Sequence, residues 1–234
     1  MNENQNIGVN TVSNDLDGGP DEQEPSPIFN PKYMLPLTLL FEGGMVLIAL
    51  SIGWFGFYDP NQPLAEIDGQ LVLNSFFWGA MATIPLCGYL AFFHYCPLRA
   101  LKALKEVVTN DLAPLFQRLS LFEFALIALL AGLCEELLFR WALQGGITEL
   151  VGGEAGVYGG ILISALIFGL CHWINHAYAI TTFVMGIYFG LLMHWSGTFL
   201  VPAVAHFLFD FVAMIYIAKR VTTGMPPYSD SRSG

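Results

Sequence analysis

The chain has 234 residues, of which 55% are hydrophobic and 12% charged, against about 25% charged in an average soluble domain. Nine Lys and Arg against nineteen Asp and Glu leave a formal charge of -10, which excludes a nucleic-acid binder, because phosphate neutralisation needs a basic face. So few charged groups cannot cover the surface of a soluble globule of this length; the composition is that of a chain whose solvent is lipid.

Residues 1–33 hold six acids (Glu3, Asp15, Asp17, Asp21, Glu22, Glu24) and one base, Lys32. The stretch is rich in Asn, Gly, Pro and Ser without an apolar period, which predicts a disordered acidic tail. It has neither the basic start nor the apolar core of a cleavable signal peptide.

A membrane-spanning helix needs about 20 mostly apolar residues. Six segments qualify, at roughly 34–57, 73–95, 120–143, 158–176, 178–196 and 198–218, so the fold expected is an all-α polytopic bundle over 34–218 with a short C-terminal tail, 219–234. Between the second and third spans, Leu101, Leu104, Val107, Val108 and Leu112 recur at helical spacing beside Lys102, Lys105 and Glu106. That pattern predicts an amphipathic helix in the interface or a connector with one solvated face. Residues 58–72 carry Asp59, Glu66 and Asp68 without a base, whereas 96–119 carry Arg99, Lys102, Lys105 and Arg118, and the last span ends in Lys219-Arg220. The positive-inside rule then puts both termini in the cytoplasm. Cys87, Cys96, Cys134 and Cys171 form no Cys-x-x-Cys pair and are expected to be buried, inert thiols.

The informative residues are those a lipid-facing helix would not tolerate. The third segment contains Glu135, Glu136 and Arg140, the fourth His172, the sixth His206 and Asp210. A charge at a helix centre costs about 2.5–3.5 kcal/mol on insertion scales, so four formal charges cost on the order of 10 kcal/mol unless they meet inside the bundle. Glu136 and Arg140, four apart, share a helix face within ion-pair reach; His206 and Asp210 do the same. Glu135 is turned about 100° from Glu136, leaving one carboxylate for the guanidinium and the other free for general-base work beside an imidazole. Two imidazoles with carboxylates can bind a divalent metal such as zinc, or activate a water without one; spacing leaves both open.

The run Glu135-Glu136-Leu-Leu-Phe-Arg140, then Phe168-Gly-Leu-Cys-His172, then His206-Phe-Leu-Phe-Asp210 resembles the Glu-Glu-x-x-x-Arg, Phe-x-x-x-His and His-x-x-x-Asn/Asp motifs of the CAAX-protease and bacteriocin-processing (CPBP, or Abi) family of intramembrane endopeptidases. The resemblance covers about residues 119–214. It implies a hydrolase in which Glu135 activates water, Glu136 and Arg140 support it, and His172 binds or polarises the water. His206 and Asp210 would complete the site through a metal or by stabilising an oxyanion. If a metal is present, the resemblance makes Glu135, His172 and His206 its ligands; a metal-free glutamate mechanism is the other form. The implied partners are a membrane-tethered peptide or protein, prenylated or not, and the bilayer. Asp210 stands where the eukaryotic CAAX enzymes resemble one another in having Asn, and a carboxylate suits a histidine or cation better than it suits donation. The rival expectation is a non-catalytic scaffold, immunity factor or transporter-like protein, although no internal repeat is visible.

Other polar residues have plainer expectations: Glu42 reaches the bundle interior, Glu123 snorkels at a boundary, and His176 and His194 meet headgroups or water. Trp54, Trp78, Trp173 and Trp195 anchor or pack. Counted from the outer loops, Glu135 and His206 lie about eight residues in, roughly 12 Å. His172 would sit deeper unless the fourth helix starts near Ile161, and that later start or a broken helix is preferred.

Overall fold

The computed structural model describes residues 31–54, 67–95, 102–116 and 119–222; the acidic tail as far as residue 30, Asp59 and Glu66, Arg99, Arg118, Cys96 and the last residues of the chain lie outside them. Every long element is a helix: α1 (Pro31–Ile52), α2 (Gly69–Tyr95), α3 (Lys102–Glu106), α4 (Leu121–Glu136), α5 (Gly145–Val151), α6 (Gly153–Cys171), α7 (His176–Ser196) and α8 (Leu200–Thr222). α3 runs on as a π-helical stretch, Val107–Leu112, and a last turn, Ala113–Phe116, while a second π-helical stretch, Leu137–Gln144, joins α4 to α5. Among the described residues, five helices are long and apolar enough to cross a membrane. The sixth expected span, α4 with its π-helical continuation, carries the charged residues of the third segment.

The helix starts follow local chemistry. Asp68 Oδ1 accepts from Leu71 N at the head of α2, and Asn175 caps α7 by accepting from Tyr178 N at 2.9 Å. Ser120 and Glu123 form a reciprocal capping box on α4, which satisfies orphan amides at that end; Glu123 therefore caps a helix rather than snorkels.

Helix directions alternate. Thr148 packs on Gly156 and Gln144 on Gly160, so α5 and α6 run antiparallel about a turn in which Gly152 and Gly153 take φ of +70° and +59°, a conformation that glycine adopts without penalty. α8 is the central post. A Cβ on Gly132 would lie 2.8 Å from the Ala203 carbonyl, and one on Gly79 2.8 Å from that of Val201, so α4 and α2 both approach α8 backbone to backbone, as small residues permit in lipid. Large apolar side chains such as Leu40, Phe41, Leu47, Phe77 and Leu162 stay exposed on the outside, where lipid is their solvent.

Four further expectations need correction. The third helix does not stop near residue 143 but continues through the π-helical stretch to Val151, and the fourth begins at Gly153 rather than near Ile161 and ends at Cys171. The eight-residue depth count therefore fails, because Glu135 lies near the middle of a continuous helical run. The described cysteines are free thiols, but Cys171 is exposed and Cys87 and Cys134 are half-buried, since lipid-facing positions accept a thiol as readily as the core does. The 102–116 segment, in contrast, has the expected amphipathy, with Leu104, Val107 and Ala113 buried.

Candidate active site

α4, the π-helical stretch, α6 and α8 bring all six motif residues together. Glu136 Oε2 lies 2.9 Å from Arg140 Nε, both side chains having no exposed surface, and Glu136 Oε1 lies 3.0 Å from His206 Nδ1. On its other side His206 Nε2 meets Asp210 Oδ2 at 3.4 Å. The result is one chain of charge, Arg140–Glu136–His206–Asp210, linking α4 to α8.

Arg140 is boxed in. Its Nη1 donates to Ser164 Oγ of α6 at 3.4 Å, while Ser164 donates to the Phe139 carbonyl. The Phe168 ring lies 4.9 Å from the guanidinium carbon and the Phe189 ring 5.7 Å, which adds cation–π attraction in a dry setting. Phe189 also stacks on the His206 ring at 4.9 Å.

Glu135 stands outside this chain. Its side chain is 10% exposed, and Oε2 faces His172 Nε2 at 3.7 Å without a hydrogen-bond partner among the described residues. His172 follows the last residue of α6 and lies in the short connection to α7. Its Nδ1 is 2.8 Å from the Phe168 carbonyl; a carbonyl only accepts, so Nδ1 carries the proton and Nε2 presents a lone pair toward Glu135. Burial pulls the His172 imidazole below its ordinary value, favouring that neutral form.

Two cavities share His172, and Glu135 lines the first of them. One, of about 580 Å³, lies between α1 and α4 and is lined by Leu37, Leu40, Phe41, Ile48, Glu135 and His172 among others. The other, of about 180 Å³, runs from His172, His206 and Asp210 past Tyr178 to Leu104 and Val108 of the 102–116 segment. Both are largely apolar around a polar centre, as ligand sites usually are.

Glu42 of α1 is buried and within electrostatic range of His206, Asp210 and Glu135, consistent with the interior placement expected of it. His176 is exposed and contacts the Trp173 ring; neither it nor His194 lines the cavities around Glu135. Trp78 and Trp195 pack edge to face. Sequence reasoning missed Tyr178 and Gln144, whose Nε2 donates to the Gly190 carbonyl. The only signal for Tyr178 was its position three residues after a helix-capping Asn.

As arranged, Glu135, His172 and His206 do not form a metal-ligand set. Both ring nitrogens of His206 face other carboxylates, and among the described residues no three His, Cys, Asp or Glu converge to hold an ion.

Comparison with curated proteins and with solved structures returned no match. Residues 117–212 match the family described as type II CAAX prenyl endopeptidase, Rce1-like, the same stretch that carries the three motifs. That segment is similar to the Rce1-like, CPBP family of membrane proteases.

Proposed function

We propose that this chain hydrolyses a peptide bond of a prenylated, membrane-tethered CAAX-type substrate, using a water activated by Glu135 and His172 without a metal. One observation carries the reading: a buried carboxylate oxygen with no described partner faces an imidazole lone pair at 3.7 Å, both residues lining one apolar cavity. A gap of that length suits an intervening water. With Glu135 and Nε2 of His172 both accepting, the water's two hydrogens are held and its lone pairs face the cavity.

The hydrolysis balances on these groups. Water oxygen bonds to the scissile carbonyl carbon while Glu135 takes the proton, and the carbonyl π pair moves onto oxygen. Collapse of the tetrahedral intermediate restores the carbonyl, breaks the C–N bond and returns the proton from Glu135 to the leaving amine. Glu136, Arg140, His206 and Asp210 are positioning residues that hold α4 against α8 and keep the second carboxylate from competing for the water. The domain reading proposed is an acidic tail over 1–33, a bundle over 34–218 whose protease core spans about 119–214, and a tail over 219–234. We place both termini in the cytoplasm; Lys102, Lys105 and Lys219 gather at one end of the bundle, and Asp68, Glu149 and Glu154 at the other, as the positive-inside rule requires.

The test uses the full chain in lipid nanodiscs with a farnesylated peptide ending in a CAAX sequence, reading the released tripeptide by mass spectrometry. Glu135→Gln should melt like the parent and lose at least ~10²-fold in turnover, the low end for general-base loss, and stringent chelation should leave the parent active. Near-parent turnover in Glu135→Gln refutes the reading; activity lost on chelation and restored by zinc refutes its metal-free part.

A further inference from the structure

Charge develops on the carbonyl oxygen during this hydrolysis, and the motif residues offer it at most one donor, His206, which lines the cavity at His172. His206 is held between Glu136 and Asp210 at 3.0 and 3.4 Å, Asp210 as a carboxylate donates nothing, and Arg140 has no exposed surface. Among the side-chain donors lining the cavity at His172, Tyr89 and Thr181 pair with each other at 3.4 Å. Thr182 donates to the carbonyls of Tyr178 and Ala179, and His172 gives its Nδ1 proton to Phe168. The hydroxyl of Tyr178 has no hydrogen-bond partner among the described residues. It lines the same cavity as His172 and Asp210 and lies within electrostatic range of both Asp210 and Glu135.

The position is fixed from two sides. Asn175 caps the amide of Tyr178 itself, so the first turn of α7 is set. A Cβ on Gly169 would fall 2.8 Å from the Ala179 carbonyl, so α6 and α7 touch backbone to backbone beside the residue that follows α6, His172.

We infer that Tyr178 is a catalytic residue of the proposed hydrolysis, its phenolic O–H donating a hydrogen bond to the oxyanion of the tetrahedral intermediate and keeping its proton throughout. The inference rests on the reading of Glu135 and His172 as the water-activating pair. A preorganised donor of this kind typically contributes 10²–10³-fold in kcat.

The experiment compares the parent, Tyr178→Phe, Tyr158→Phe and Glu135→Gln in nanodiscs on the farnesylated CAAX peptide, with kcat, KM and melting temperature read for each. Tyr178→Phe should lose about 10²–10³-fold in kcat with KM within threefold and melting unchanged, because its hydroxyl bonds no group among the described residues. Tyr158→Phe, which removes a hydroxyl from an exposed ring that lines neither cavity, should keep kcat within threefold. A Tyr178→Phe kcat within threefold of the parent, a loss confined to KM, an equal loss in Tyr158→Phe, or a lowered melting temperature in Tyr178→Phe each overturns the inference. If the parent leaves the peptide uncut, or Glu135→Gln still cuts it, the underlying reading fails and the inference falls with it. If Glu135→Gln is dead and Tyr178→Phe is not, the inference alone fails.

Discussion

Arg140 is the residue on which the stability of this site turns. Arg140→Met keeps much of the side-chain volume but removes the 2.9 Å contact to Glu136, the Ser164 hydrogen bond and the packing of the guanidinium against Phe168. Glu136 is then left fully buried with only His206 as a partner. Breaking a buried pair by deleting one partner typically costs about 3–5 kcal/mol, a factor of roughly 150 to 4,000 in the folding equilibrium at 1.4 kcal/mol per decade. At roughly 2–4 °C per kcal/mol for a chain of this size, the melting temperature should fall by about 6–20 °C. The assay is thermal unfolding in nanodiscs followed by tryptophan fluorescence. Adding Glu136→Gln to Arg140→Met should recover a substantial part of the loss, because the stranded carboxylate goes with it. Arg140→Met melting within about 1 °C of the parent would show that the pair carries no net stability. A double variant less stable than the sum of the singles would refute the uncompensated-charge argument.

Further outcomes follow from the packing. Gly132→Ala, whose new methyl would meet the Ala203 carbonyl and the Phe207 backbone at 2.8 Å, should destabilise by about 1–3 kcal/mol through overpacking, whereas Gly43→Ala meets nothing within 4 Å and should hold or gain stability through helix propensity; equal melting of the two variants would contradict the close α4–α8 approach. Ser164→Ala strips Arg140 Nη1 of its acceptor and should cost about 1–3 kcal/mol. Ser75→Ala removes a buried hydroxyl without a described partner and should be neutral or stabilising, the reverse order of the two being the result that would tell against this hydrogen-bond ledger.

The six apolar segments and the two i,i+4 pairs were legible because each is a local property: 20 residues of hydropathy, or four residues of helical rotation. Glu136 with Arg140 and His206 with Asp210 came out as spaced. The contacts between helices were not legible. That Glu136 faces His206 while Glu135 faces His172 depends on Gly132 letting α8 come within backbone contact of α4, and on α6 ending at Cys171, so that His172 turns away from the helix axis. The turn at Gly152–Gly153 was written in the chain as a double glycine, but the apolar run beginning near Tyr158 masked it, and with it the true depth of the site. Tyr178 was obscured for a different reason. An aromatic near a helix end in an apolar run is what an interface anchor looks like.

The non-equivalence of two adjacent glutamates is the step that ties fold to chemistry. Glu136 has no exposed surface and gives both oxygens to cations or imidazole, so its charge is spent on joining α4 to α8. Glu135, one residue earlier and about 100° round the helix, meets His172 across a gap too long for a direct hydrogen bond. A single carboxylate could not serve both ends, since one already compensated by Arg140 would be a weaker base and one left free could not hold the buried guanidinium. In the proposed mechanism the doublet thus separates the group that joins α4 to α8 from the group that takes the proton of water. The π-helical stretch that begins right after it carries Arg140 and Gln144 inward to α6 and α7, in keeping with the frequent placement of π-helical turns at functional sites.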